Sequence, residues 1–455
     1  MLLLKDLTSQ NTTDTKLNFL TIESRKSFVF FYCTLVSINL LVVYKFSLLF
    51  FIASLFFLAS CQSEITFESQ GFDSKKINAF QTFIADEIKA QKIAGAEILI
   101  AKNNTIVLHE AQGYANLTTK KPLAKNSIYY IQSMTKPIIS VAIMQLVEKG
   151  MISLEDTIEQ YIPEATGLQI ILDPQQGVQG EKVELKESIT IRHLLSHTAG
   201  FSHGLGSNKM EIELYNSLYG PPLQMSENPH STLESRVKSL LAFPLIGQPG
   251  EQWYYSASPD ILALIVQRVS KQAIPDYLKS ALFDPLGMND TGYNVPDAES
   301  NRVMSVHIHD QTGQLVSFDE QIPTSGNTVY GGTHGLFSTA ENYLRFCQMI
   351  LNNGTFNNQQ ILKPETLKLI IKDQTNGVFE APGKGFGLGF EVILNTIAEG
   401  YENKGQLSWG GYFRTHFLIH PEQNLVAIWM TQMLPYSNEY GDALRENVYG
   451  ALLVP

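Results

Sequence analysis

Cysteine is almost missing from this sequence: three occur in 455 residues, at Cys33, Cys61 and Cys347, too few for a disulfide scaffold. Charge is sparse as well, at 17% Asp, Glu, Lys and Arg, and it leans acidic, with 44 carboxylates against 33 cations for a formal −11. No long basic run offsets that balance, which argues against nucleic acid as a partner. The chain has no internal repeat, no low-complexity tract, and no H-E-x-x-H or Cys/His cluster of the kind that holds zinc. What remains is an ordinary globular composition, 44% apolar and 10% aromatic, long enough for one large two-lobed domain or two domains.

The first 61 residues read as an address. Residues 28–44 are mostly apolar, Lys45 interrupts, and a second apolar run covers 46–59 before Leu58-Ala59-Ser60-Cys61. A positive residue, an apolar stretch and a small-residue cleavage site have the shape of a signal peptide. The tetrad resembles the lipobox of bacterial lipoproteins, which implies lipidation of Cys61, and Gln62 after it favours an outer-membrane destination. No methionine lies between Met1 and Met134, and the stretch before Lys45 fits an over-extended start. A transmembrane anchor is the alternative, since residues 28–60 are long enough to span a bilayer. The expected organisation is therefore a signal or anchor segment over 1–61, a tether over 62–74 and a folded domain over 75–455, held at the cell envelope through lipid or anchor.

Within the domain, Ile77, Phe80, Phe83, Ile84 and Ile88 recur at helical spacing. Ala96–Ala101 and Thr105–Glu110 are β-rich runs joined by Lys102-Asn103-Asn104, the pattern of a hairpin. Ser133 to Lys149 reads as a helix stopped by Gly150, and residues 173–188 as an exposed loop. Helical patterns dominate 191–279 and 340–372. Strands are expected at 385–394, 406–420 and 425–432, then a last helix over 439–453. Strands at both ends with helices between them imply one sheet built from distant segments and a second, helical lobe.

Two Ser-x-x-Lys tetrads occur, at Ser133 and Ser235. Ser133 follows an apolar extended run and opens a strongly apolar helix, so Lys136 lies one turn away on the same face. The helix N-terminus adds free N–H groups suited to an oxyanion, and Pro137 fits the first turn. A plain N-cap is the alternative for Ser133. Ser235, amid Glu234, Arg236 and Lys238, reads as an exposed helical serine. Gly200-Phe201-Ser202-His203-Gly204 matches the nucleophile elbow G-x-S-x-G, but that motif needs a strand before it and a helix after it. Here a helical pattern precedes Ser202 and a Gly/Ser-rich stretch follows. His307 and His309 alternate as on one face of a strand.

Ile131-Gln132-Ser133-Met134-Thr135-Lys136-Pro137 resembles the first motif of the serine β-lactamase and penicillin-binding superfamily, in its class C-like branch. Resemblance continues through 148–156, 189–201 and 331–340, and covers Phe80 to Leu453. It implies an α+β fold, an antiparallel sheet flanked by helices with an all-α lobe, and a cleft with Ser133 at its floor. Tyr255 falls on the tyrosine of the family's Tyr-x-Asn motif, with Ala257 where asparagine is usual. That tyrosine is expected to exchange a proton with the nucleophile. Moving its pKa from near 10 to near 7 needs roughly 4 kcal/mol, for which a Lys136 ammonium is the right kind of neighbour. Trp409-Gly410-Gly411 stands where Lys-Thr-Gly is usual. The resemblance makes the Tyr412 N–H the partner of the Ser133 N–H in an oxyanion hole. Arg414 either restores a carboxylate contact or is a surface arginine.

Trp-Gly-Gly, with no asparagine in the tyrosine motif, is the pattern of family VIII esterases. The resemblance implies a serine hydrolase working through an acyl-enzyme on a small-molecule ester, with no metal or organic cofactor. A D-amino-acid peptide or a β-lactam is the alternative substrate. A cell-envelope binding protein that kept the fold and lost turnover is a reading of another class.

Overall fold

The computed structural model describes residues 66–224, 226, 228–395 and 403–453; the expected signal or anchor segment, with Cys61, lies outside the described residues. Residues 66–74, expected as tether, are tied to the domain at Phe72 instead. Phe72 is fully buried with Ile77 and Phe80 and bridges Leu452, and Asp73 caps helix α1 (Ser74–Lys89) by accepting from the Lys75 and Lys76 amides. One aromatic ring among polar neighbours was enough to anchor the segment, because burying it removes a large apolar area from water.

An eight-stranded sheet follows, from β1 (Gly95–Lys102), β2 (Thr105–Asn116), β3 (Lys121–Pro122), β4 (Lys384–Phe386), β5 (Glu391–Ile393), β6 (Leu407–Gly410), β7 (His416–His420) and β8 (Leu425–Met430). The order is β4-β5-β6-β7-β8-β1-β2-β3, and its pairs are antiparallel. N-terminal β1 therefore pairs with C-terminal β8, Leu99 opposite Ile428 and Ile98 opposite Trp429. Asn103 and Asn104 both take positive φ in the β1–β2 turn, as a two-residue hairpin requires.

Both faces of the sheet are covered, which is why β8 is an unbroken apolar run and β1 is buried from Gly95 to Ala101, Glu97 included, with no alternation of buried and exposed residues. On one face Ile98, Ile100 and Trp429 pack with α1 and with α9 (Glu439–Ala451). On the other, the helix Ala340–Leu351 lies directly on β1, β7 and β8, and Leu99, Ala101 and Ile428 share one core with α2 (Thr135–Glu148), buried from Thr135 to Leu146. A helix apolar all round belongs between layers. Further helices are α3 (Ile191–Leu195), α4 (Lys209–Tyr219), α5 (Leu233–Leu241), α6 (Ser258–Ser270), which packs on α2, α7 (Ala340–Leu351) on the sheet, and α8 (Pro364–Ile371). No helix of the described residues is long and apolar enough to cross a membrane.

Three expected elements differ in detail. Residues 173–188 are not a bare loop: Pro174–Gln179 form a 3-10 segment and Lys182–Glu184 pair with Gln169–Ile171. The single strand expected at 385–394 is the β4–β5 hairpin, since Gly389 takes φ +96°. The run 406–420 is likewise two strands, β6 and β7, joined by a tight turn at 411–415.

Candidate active site

Ser133 is lifted to the head of α2 by a 3-10 turn, Gln132–Met134, that follows the short strand Tyr129–Tyr130. That strand pairs with Phe337–Ser338, and the Ile131 N–H donates to Leu336 O at 3.0 Å. Gln132 takes φ +49°, a left-handed conformation that a non-glycine residue holds only when its surroundings impose it. Against this turn packs the β6–β7 connection. A Cβ on Gly411 would lie 2.6 Å from Ile131 O, and one on Gly410 would lie 2.6 Å from His416 Nδ1. The Gly-Gly pair thus lets one backbone approach another beside Ser133.

Two side chains meet at the Ser133 hydroxyl. Lys136 Nζ is 3.0 Å from Ser133 Oγ, and the Tyr255 hydroxyl donates to the same oxygen at 2.7 Å. Lys136 is buried at 2% exposure, and its second partner is the Thr333 carbonyl at 2.9 Å. Burial lowers its pKa to about 7, against an opposing pull from the Asp260 carboxylate. Tyr255 moves the other way: burial pushes the phenol above its ordinary value, with the Ser133 hydrogen bond pulling weakly back. The expected fall of the Tyr255 pKa under a Lys136 ammonium is therefore corrected. The ring is enclosed by His203, His197, Trp253 and Trp409, and burial also lowers the pKa of the amine that was to act on it.

Ala257 supplies no amide to orient Lys136, and a backbone group takes that part. The Thr333 N–H donates to Asp260 Oδ1 at 2.8 Å, which fixes the peptide whose neighbouring carbonyl holds the amine. Asp260 in turn faces Arg236 Nε at 2.9 Å, both side chains 1% exposed. Thr333 lies in a stretch that the sequence marks, but Asp260 and Arg236 are missed there. Asp260 is marked only as a charge at the start of an apolar helical run, and Arg236, amid Glu234 and Lys238, carries no signal.

A cavity of about 760 Å³ opens beside Ser133, walled by Tyr130, Tyr219, Trp253, Trp409, Tyr412 and Tyr436 among others. Tyr412 stacks on Tyr436 at its mouth, and its N–H makes no backbone hydrogen bond among the described residues. Arg414 does not line this cavity. Its Nε donates to Pro435 O at 2.8 Å and its guanidinium lies over Tyr440, so a carboxylate contact from Arg414 is corrected. The left-handed φ of +63° at Arg414 turns it out of the path of Tyr412.

The remaining sequence candidates lie elsewhere. Ser202 is buried in a loop, donates to Glu211 Oε1 at 2.6 Å and accepts from the Gly204 N–H at 2.9 Å, with no strand before it. Its neighbour His203 does reach the cavity. Ser235 donates to Thr232 O within the first turn of α5. His307–His309 is a short strand, and no cluster of three or more metal-ligating side chains occurs among the described residues.

Comparison with known proteins bears on the fold and the relatives of the chain. A family model described as Beta-lactamase matches residues 80–449. Esterase EstB of Burkholderia gladioli is 25% identical over 388 residues, 80% of this chain and 92% of its own. Monacolin J acid methylbutanoyltransferase of Aspergillus terreus is 23% identical over 396 residues, 79% of this chain and 91% of its own. The solved structure of EstCE1, a hydrolase with promiscuous acyltransferase activity, shares the fold with a TM-score of 0.70 at 24% identity, over 82% of this chain and 98% of the other.

Proposed function

Because the chain belongs to the β-lactamase family and has esterase and acyltransferase relatives, we propose that it cleaves carboxylic esters through an acyl-enzyme on Ser133. The observation that carries this reading is the convergence of Lys136 Nζ and the Tyr255 hydroxyl on Ser133 Oγ. With a pKa of about 7, Lys136 is substantially neutral near physiological pH and can take the Ser133 proton as Oγ attacks the ester carbonyl. The N–H groups of Ser133 and Tyr412 receive the oxyanion, at the helix head and in the Gly410–Gly411 turn. Tyr255, protonated and hydrogen-bonded to Oγ, passes its proton to the departing alkoxide and recovers one from Lys136. Water then enters by the reverse route, leaving the carboxylic acid and free Ser133.

Esters fit better than peptides or β-lactams because the polar groups that read those substrates are missing. Trp409 occupies the place of a carboxylate-binding lysine, Ala257 that of an amide, and Arg414 is turned away. The expected result is hydrolysis of p-nitrophenyl butyrate that falls by about a thousandfold or more in Ser133→Ala. Faster turnover of a D-Ala-D-Ala peptide or a penicillin would overturn the substrate class. A stable butyryl adduct without release would overturn turnover itself and favour a binding protein.

For the whole chain we propose a lipid anchor at the cell envelope, supported by Leu58-Ala59-Ser60-Cys61. Cells fed labelled palmitate should incorporate it into the chain and not into Cys61→Ser; equal labelling of both contradicts the anchor.

A further inference from the structure

Three neighbouring polar atoms beside the cavity have no hydrogen-bond partner among the described residues: Nη2 of Arg236, the hydroxyl of Tyr219 and Nδ1 of His203. All three side chains line the cavity that holds Ser133. They also form one cluster, with the His203 and Tyr219 rings 5.5 Å apart and the Arg236 guanidinium 5.7 Å from the Tyr219 ring centre. His203 stacks on Tyr255 at 5.2 Å, so the cluster is continuous with the reacting groups. Arg236 is 1% exposed and His203 9%. A Cβ on Gly331 would lie 1.8 Å from Arg236 Nη2, so the missing side chain there makes room for the guanidinium. None of these atoms takes part in the steps derived above.

A buried polar atom left unpaired costs about 1–3 kcal/mol, and here the Arg236 Nη2 and the Tyr219 hydroxyl are donors, joined by His203 in its Nδ1–H tautomer, so the group calls for a guest that accepts from them. The charge of that guest is constrained too. Asp260 already neutralises Arg236 at 2.9 Å, so a carboxylate guest would add an uncompensated buried charge. A neutral oxygen would not. We propose that Arg236, Tyr219 and His203 form a subsite for a second, neutral oxygen of the ester substrate, a keto, amide or lactone carbonyl removed from the scissile ester. The inference rests on the esterase reading and narrows its substrate class from plain alkyl esters to oxygenated ones.

The test separates binding from turnover. Ser133→Ala protein is titrated by calorimetry with matched p-nitrophenyl alkanoates that differ only in an oxo group at successive chain positions. The expected result is about tenfold tighter binding for the oxo compound at one position, as a good hydrogen bond in a dry site gives. That ratio should fall towards one when Tyr219→Phe is added. It should also fall in the charge-balanced pair Arg236→Met with Asp260→Asn, which avoids a lone buried charge. Parity along the whole series, the result if the cluster holds ordered water only, would overturn the proposal, as would a gain that survives both changes. Turnover of the same esters by the unmodified chain reads the other claim. Hydrolysis with parity in binding sinks the subsite alone, and a binding gain without hydrolysis sinks the esterase reading alone.

Discussion

At Ser133 Oγ an amine at 3.0 Å and a phenol at 2.7 Å compete to set the protonation state, and burial decides between them. It lowers the lysine pKa to about 7 and raises that of the tyrosine, which is why Lys136 is proposed as the proton acceptor for attack. The sign of the pH dependence follows. The proposed mechanism needs neutral Lys136, so kcat/KM should rise with pH through an acidic limb near 7, and a flat profile between pH 6 and 8 contradicts that assignment. Lys136→Ala should lower kcat/KM by about 10²–10⁴-fold, the range for loss of a general base. Asp260 pulls the lysine pKa upward. Asp260→Asn, which keeps an acceptor for the Thr333 N–H, should move the acidic limb to lower pH. A merely structural role for Asp260 would leave the limb in place.

The elements that deliver these groups differ in how much of themselves they show in sequence. Helix α2 and the Ser133–Lys136 spacing were legible because that contact lies within one turn at the head of the helix. The β1–β2 hairpin was legible from two asparagines that tolerate positive φ. The Arg236–Asp260–Thr333 chain was not, since its members come from α5, α6 and a loop seventy-three residues beyond Asp260. Arg414 stayed open between a carboxylate contact and a surface arginine because turn geometry, not residue type, decides which way it leaves the 411–415 turn. The β6–β7 turn gives a sharper prediction. Gly411→Ala puts a methyl 2.6 Å from Ile131 O and must push the turn away from Ser133. A shift of about 1 Å at reacting groups costs on the order of 100-fold, so kcat/KM should fall that far. Unchanged kinetics would mean the turn does not position the site.

On the scale of the whole molecule, the sheet is closed by the two ends of the domain, β1 against β8, with Phe72 and Leu452 bridging beside them. Residues 66–74 therefore belong to the fold, and Phe72→Ala should cost about 3–5 kcal/mol in urea unfolding, as for other buried aromatics. A loss below 1 kcal/mol would restore the reading of that segment as a tether. The same wholeness makes the nucleophile a question for the entire chain, since Ser133, Ser202 and Ser235 each sit in a motif that suggests reactivity. Intact mass and peptide mapping after reaction with a fluorophosphonate probe compares them at once. One adduct, on the Ser133 peptide and lost in Ser133→Ala, is the expected result. An adduct on the Ser202 peptide, or none at all, would contradict an activated Ser133 and the hydrolase built around it.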